Sequence, residues 1–285
     1  MGIKRAISVT SGGGDSIADG LMMLKEGYHV TFLHVLHGQK SEVGERLSCE
    51  KIVSELVKQG FDCSLRIVNA RWLGQLGVSA LTSKELAVPD GLEGVYQSTM
   101  PKIFTPGRNT VFLGIAGAVA EAEMAEVITF GCNQSEIGYA DNTKDFIDAY
   151  TKVLEYSTLR IHPKVISPEW DMDKVEIYKW SFDHGFGWAH AKYTWPCDDA
   201  GESFETPARD REDIMPCGRC GCCRNRRIVF KILNTKYPDS GYSDLQQYAD
   251  RRWFDQEFMP TIQARGIPKS KWFSEYAEEL GCKVI

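Results

Sequence analysis

Between Val9 and Ile17 the chain reads Thr10-Ser11-Gly12-Gly13-Gly14-Asp15-Ser16. Three successive glycines let a backbone turn tightly and bring its N–H groups against an anion. Ser11 and Ser16 add hydroxyl donors, and a helix beginning just after them adds the positive end of its dipole. Asp15 would repel a bare phosphate, so its place in such a loop is to hold Mg²⁺ or to cap the turn. The spacing is not a Walker loop, since no Gly-Lys-Ser/Thr occurs in the chain, nor is it the dinucleotide Gly-x-Gly-x-x-Gly. A Gly/Ser turn that binds nothing is the plainer alternative.

The second chemical feature is thiol. Of nine cysteines, five (Cys197, Cys217, Cys220, Cys222, Cys223) fall within 27 residues. Cys217-x-x-Cys220-x-x-Cys223 with Cys197 upstream offers four thiolates, the donor set of a closed, tetrahedral, structural Zn²⁺ site. Cys222 is an alternative fourth ligand, but it adjoins Cys223 and reaches the same ion poorly. Arg219, Arg224, Arg226 and Arg227 would offset the net negative charge of a zinc tetrathiolate. Buried free thiols, an iron–sulfur cluster and a nucleic-acid-binding zinc ribbon are the competing readings. The basic density is local and short, which weakens the last of them.

These groups need elements to hold them. Residues 5–10 read as a strand, Ile17–Glu26 as a helix with Gly27 beyond its end, and Val30–Leu36 as a strand apolar on both faces. A helix over Ser41–Lys58 and a strand over Leu65–Val68 follow. Strand, glycine loop, helix, strand, helix, strand is the pattern of an α/β chain with a parallel sheet. The segment 70–108 is loop-rich in Gly and Pro, and a loop of that length is more often functional than idle. Helices are expected over Thr110–Met124, Asp141–Glu155 and Asp173–His184, with a strand at Val127–Phe130. The pattern predicts three units: an α/β domain over 1–190 that carries the glycine loop, a zinc-binding subdomain over 191–232 and a helical extension over 233–285.

The 285 residues carry 33 Lys+Arg against 39 Asp+Glu, a net charge of −6. That balance argues against broad nucleic-acid binding, which needs a basic surface. A charged fraction of 25% with 43% hydrophobic residues excludes a disordered chain. No run is long and apolar enough for a membrane span, and the N-terminal residues do not read as a signal peptide. The expectation is a soluble, cytoplasmic protein whose cysteines serve metal and not disulfides.

Ser-Gly-Gly-x-Asp-Ser after a first strand resembles the loop of the PP-loop ATP pyrophosphatases, which cleave ATP between the α and β phosphates. Further segments narrow the likeness. His37-Gly38-Gln39 is similar to Y-G-Q. Pro106-Gly107-Arg108-Asn109 with Phe112-Leu113 is similar to P-x-R-N-x-x-F-L. Gly138-Tyr139-Ala140-Asp141 resembles G-Y-P-D, with Lys174 and Glu176-Ile177 beyond it. Thr194-Trp195-Pro196-Cys197 resembles T-W-S-C ahead of the cysteine run. Together these resemble the 7-cyano-7-deazaguanine synthase (QueC) family across roughly residues 5–230.

The resemblance implies an adenine nucleotide α-hydrolase-like fold with a small four-cysteine zinc subdomain. It also implies a ligase that adenylates 7-carboxy-7-deazaguanine, joins it to ammonia and dehydrates the amide to the nitrile with a second ATP. It assigns ATP to Thr10, Ser11, Gly12, Gly13, Gly14, Asp15 and Ser16, with Asp15, Lys174 and Arg108 catalytic. The deazaguanine would meet Gly38, Gln39, Asn109, Tyr139 and Asp141, and Zn²⁺ would meet Cys197, Cys217, Cys220 and Cys223. Mg²⁺ would accompany ATP, and a homodimer is implied. Two departures stand out: G-Y-P-D-C-R becomes Gly138-Tyr139-Ala140-Asp141-Asn142-Thr143, losing an arginine, and about fifty residues follow the family's usual end. They open a second version, in which a protein amine replaces ammonia, as in QueC-like paralogues of antiviral operons. The aromatic-rich tail (Trp253, Phe258, Trp272) would then dock the protein partner.

Overall fold

A computed structural model describes residues 3–77, 79–89, 103–133, 139–199, 216 and 220–236. Cys217, Gly138, Arg219 and residues 237–285, which carry part of the expected metal site and most of the expected extension, lie outside the described residues.

Strands β1 (Arg5–Val9), β2 (His29–Leu36), β3 (Cys63–Asn69), β4 (Val127–Phe130) and β5 (Lys164–Ile166) form one parallel sheet in the order β3-β2-β1-β4-β5. Pairing runs in register from Ala6 opposite Val30 on one side of β1 and Val127 on the other. Alternate residues of β1 serve opposite faces, as a period of two requires. Ile7 and Val9 join a cluster with Leu113, Ala116, Ala120, Ile147 and Leu154. Ala6 faces the other way, toward Ile17, Leu21, Phe32, Ile52 and Leu56. Hence β2 is buried along nearly its whole length, as its uninterrupted apolar run predicts. Each fully buried Leu, Ile or Phe side chain contributes about 1.5–3 kcal/mol.

Helices α1 (Gly14–Lys25) and α2 (Glu42–Lys58) cover the face of Ala6; α3 (Arg108–Glu123) and α4 (Lys144–Ser157) cover the face of Ile7. The small residues of α3 bring it close to α4: a Cβ on Gly117 would sit 2.5 Å from Leu154. Helix α5 (Lys174–Asp183) leads into a π turn at Ala189–Tyr193, and α6 (Gly221–Lys236) packs on α5 through Phe230 and Tyr178, ring centroids 5.6 Å apart. None of the described helices is long and apolar enough to cross a membrane.

Three local expectations change. Helix α1 starts at Gly14 and not Ile17, so Asp15 and Ser16 belong to its first turn. Helix α4 starts at Lys144, because Thr143 takes the N-cap and accepts from the Phe146 N–H at 3.1 Å. Strand β5 has only three residues at the sheet edge, too short for any pattern to show. Chain direction along the sheet reverses between β1 and β4, so their C-terminal ends open the crevice where α/β sheets of this order place ligands.

Candidate active site

The crevice holds a cavity of about 340 Å³. Its floor is the glycine loop. Gly12 has φ +81°, which glycine adopts freely, and its carbonyl accepts from Ser48 Oγ and from the Trp195 N–H, both at 2.8 Å. A Cβ on Gly12 would press within 2.7 Å of the Glu45 carbonyl, and one on Gly14 would lie 2.3 Å from the Tyr178 hydroxyl. The glycines are therefore demanded by neighbours as well as by the turn. Gly131, just after β4, packs its backbone against the first turn of α1, where a Cβ would approach Ser16 Cα to 3.0 Å. Hydroxyls of Thr10, Ser11 and Ser16 converge here: the Ser11 N–H donates to Ser16 Oγ at 3.1 Å and the Gly12 N–H to Thr10 Oγ1 at 3.2 Å.

Above the loop, Lys174 Nζ is ion-paired with Asp15 Oδ2, and Asn133 Nδ2 donates to the same oxygen at 3.4 Å. Lys174 owes its place to a capping box. Asp173 Oδ1 accepts from the Glu176 N–H at 2.8 Å, and Glu176 Oε2 accepts from the Asp173 N–H at 2.7 Å, fixing the start of α5. One turn past Asp15 on α1, Asp19 is fully buried; burial, then the Asp15 charge, pushes its carboxyl well above the usual range.

The opposite wall comes from three separate segments. Arg108 and Asn109 open α3, after Gly107 in the left-handed region. Asn109 Nδ2 donates to the Asp141 carbonyl at 3.0 Å, tying α3 to the turn that carries Tyr139 and Asp141. Tyr139 faces the cavity with its ring 5.9 Å from Phe104. Gln39 lines it too, but its amide is engaged: Oε1 accepts from the His37 N–H at 2.9 Å and Nε2 donates to Glu45 Oε2 at 2.7 Å. Ser41 Oγ completes this set by donating to Glu45 Oε1 at 2.6 Å. Gln39 thus builds the wall more than it reads a ligand. Gly38, at φ +82° beneath the Arg71 carbonyl, shapes the turn and does not line the cavity.

At the far end, Cys197, Cys220 and Cys223 bring their sulfurs within 4.8 Å of one another, each at most 4% exposed. Converging buried thiols with no disulfide between them suit a thiophilic metal. Cys222 lies at the cavity wall beside Asn225. Trp195 joins this cluster to the loop: its N–H holds Gly12, its indole donates to the Cys197 carbonyl at 3.0 Å, and its ring fills the space where Gly44 lacks a side chain. Arg226, expected as a counter-charge at the thiols, makes its hydrogen bonds elsewhere. It is buried against the π turn, donating to the Thr194 and His190 carbonyls at 2.5 Å.

The cavity thus joins the loop residues 10, 11 and 13–16 with Gln39, Arg108, Asn109, Tyr139, Asp141, Lys174 and Cys197. Glu45, Ser41, Asn133 and His37 were missed as site residues. Ser41 and Glu45 stand four apart on one helix face, which was a usable signal; Asn133, beyond β4, had none.

Sheet order, crevice and glycine loop define an α/β enzyme of the PP-loop class. The chain belongs to the QueC family, described as queuosine biosynthesis protein QueC, which matches residues 5–234. It is 34% identical over 246 residues to a 7-cyano-7-deazaguanine synthase of Methanocaldococcus jannaschii, covering 82% of this chain and 99% of that one. Similar proteins of the same name occur in Methanosarcina mazei (31% over 245 residues; 82% and 96% covered) and Microcystis aeruginosa (30% over 241; 83% and 94%). Among solved structures, a 4-thiouridine synthetase–RNA complex with bound ATP gives a TM-score of 0.41 at 20% identity, covering 86% of this chain and 53% of that one. That likeness is too slight to add to the sheet order above.

Proposed function

We propose that this enzyme activates 7-carboxy-7-deazaguanine with ATP and joins it to ammonia, first as the amide and then as 7-cyano-7-deazaguanine. One observation carries the reading: the Lys174–Asp15 pair stands on the glycine loop and shares a single cavity with Arg108, Asn109 and Asp141. A carboxylate becomes an electrophile only when one oxygen is made a leaving group. The substrate carboxylate oxygen attacks the α phosphorus of ATP, and the bond to the bridging oxygen breaks to release pyrophosphate. Loop N–H groups, Ser11, Ser16 and Lys174 meet the charge that moves onto the phosphates. Asp15 and Asn133 offer the oxygens that would hold Mg²⁺; when bound, that ion supplies further neutralisation of phosphate charge.

Ammonia then adds to the acyl carbon, AMP departs with the carboxylate oxygen, and a proton is lost. For the second stage the amide oxygen attacks another ATP. Pyrophosphate leaves, and loss of both remaining N–H protons expels AMP and leaves the nitrile. In this reading Arg108 would hold the carboxylate, and Asn109 and Asp141, on the same cavity wall, would meet the polar edge of the deazaguanine. Thr143 occupies the position of the arginine in G-Y-P-D-C-R and serves as a helix cap. The residues beyond the family's usual end motivate a second version, with a protein amine as acceptor, since such an acceptor needs a docking surface that ammonia does not. A substituted amide keeps only one N–H and cannot be dehydrated, so that reaction stops at the conjugate.

Mass spectrometry of the products from ATP, the acid and ammonium tests the reading. The expected product is the nitrile, with nitrogen from ammonium. An unsubstituted amide that accumulates overturns the dehydration stage, and a mass shift on a protein with no nitrile overturns the ammonia version. The thiol cluster is proposed to hold one Zn²⁺ per chain, with Cys217 as the fourth ligand. Metal analysis and melting of Cys220→Ser should show zinc lost together with thermal stability; full zinc in a stable variant would move the ligand set toward Cys222.

A further inference from the structure

The reaction outlined above makes no use of His37 on the cavity wall. His37 follows directly on β2, lines the cavity and is 5% exposed. Its ring is fixed from two sides. The edge meets the Phe112 ring at a centroid distance of 5.2 Å and an interplanar angle of 68°. The backbone N–H of His37 is held by Gln39 Oε1. Nδ1 lies 3.4 Å from the Val35 carbonyl oxygen, a long contact, but a carbonyl can only accept. The ring hydrogen therefore belongs on Nδ1, and Nε2 carries the lone pair. Burial, reinforced by the Arg108 charge, lowers the pKa of His37 to about 3, so Nε2 stays an acceptor throughout the physiological range. Nε2 is buried and has no hydrogen-bond partner among the described residues. Orphaned buried acceptors are uncommon, because forming none of their bonds forfeits solvation with no return. His37 is one of the residues that line the cavity, whose other polar groups suit a heterocycle.

We propose that His37 Nε2 accepts a hydrogen bond from an N–H of a purine-type ring bound in this cavity, and so acts as a specificity residue of the site. The inference rests on the reading that ATP and a deazaguanine acid meet here. Both carry suitable donors: the adenine amino group on one, the ring and exocyclic N–H groups on the other. A neutral acceptor that cannot donate favours such edges over carbonyl edges.

His37→Phe keeps a ring against Phe112 and removes the acceptor. His37→Gln returns an amide oxygen at about the reach of Nε2. KM for ATP and for the acid is measured by AMP release for the wild type and both variants, with near-ultraviolet circular dichroism to check folding. Expected for His37→Phe is a rise of about 10-fold in one of the two KM values, with kcat little changed, and recovery of most of that loss in His37→Gln. If adenine is the partner, the KM for ATP moves, and purine riboside triphosphate, which lacks the amino group, is handled alike by wild type and His37→Phe. If the deazaguanine is the partner, only the KM for the acid moves. Unchanged KM values in a folded His37→Phe overturn the proposal, as does an equal loss in both variants, which would mark a packing role. Absence of acid-dependent AMP release from the wild type would defeat the functional reading instead. Equilibrium binding of ATP and of the acid to the same three proteins then decides the role of His37 alone.

Discussion

The two ends of the cavity are built on different principles. At the loop end the work is done by backbone: glycines that neighbours forbid to carry a Cβ, N–H groups in the first turn of α1, and a lysine set by a capping box. At the opposite wall it is done by side chains from β2, α3 and the 139–142 turn, cross-braced by Gln39–Glu45 and Asn109–Asp141. At the loop end a Cβ on Gly12 or on Gly14 would meet atoms within 3 Å, so neither position has room for a side chain. The wall is adjustable: each brace is one neutral or singly charged hydrogen bond, worth about 0.5–3 kcal/mol. On the proposed reading phosphate chemistry is thereby fixed while the acceptor side is free to diverge, and the departure from G-Y-P-D-C-R falls on that side.

The comparison is broken most sharply at Lys174. Lys174→Ala should lower kcat by about 10³-fold with little change in KM for the acid, because its charge serves the transition state. Steady-state AMP release checks this, and an equal effect on KM would place Lys174 at the wall. The next effect concerns stability. His37 and His190 are both buried and neutral, their pKa lowered to about 3 by burial first and by Arg108 or Arg226 second. An unfolded histidine takes up a proton below about pH 6.5, whereas the native ones do not until about pH 3. Their contribution is full above pH 6.5 and is lost as pH falls toward 3, by about 2 kcal/mol each at pH 5. Asp19, with its pKa raised, works in the opposite sense, so the contrast between wild type and His37→Phe isolates one histidine. Urea midpoints at pH 7.5 and 5 should show the variant losing about 2 kcal/mol less than the wild type over that interval. The smallest effect is expected from Asn109→Ala, which removes a brace: KM for the acid rises about 10-fold while KM for ATP stays put. A parallel rise in both would merge the two ends into one site.

The same contrast governs what was legible in the sequence. Ser11 to Ser16 could be read as a phosphate loop because its chemistry lies in the backbone and in contiguous residues. The apolar run of β2 gave its double burial, and Asp173-x-x-Glu176 carried the capping box in plain view. Arg108, Asn109, Tyr139 and Asp141 were found through family likeness and do line one wall. Their mutual bonds were not legible, since Asn109 and Asp141 are 32 residues apart in the chain and meet only through the fold. Gln39 was read as a ligand contact through the likeness to Y-G-Q; its engagement with His37 and Glu45 depends on how β2 runs into α2. Arg226 was taken for a metal counter-charge because it stands next to cysteines, yet helix geometry turns it toward the π turn.

The central claim is that the loop end adenylates a carboxylate, and isotope exchange between pyrophosphate and ATP tests it without reference to the acceptor. With 7-carboxy-7-deazaguanine present and ammonium absent, the wild type should exchange label into ATP, and Asp15→Asn should lose nearly all of that exchange. Exchange that does not depend on the acid, or that survives in Asp15→Asn, would contradict the account.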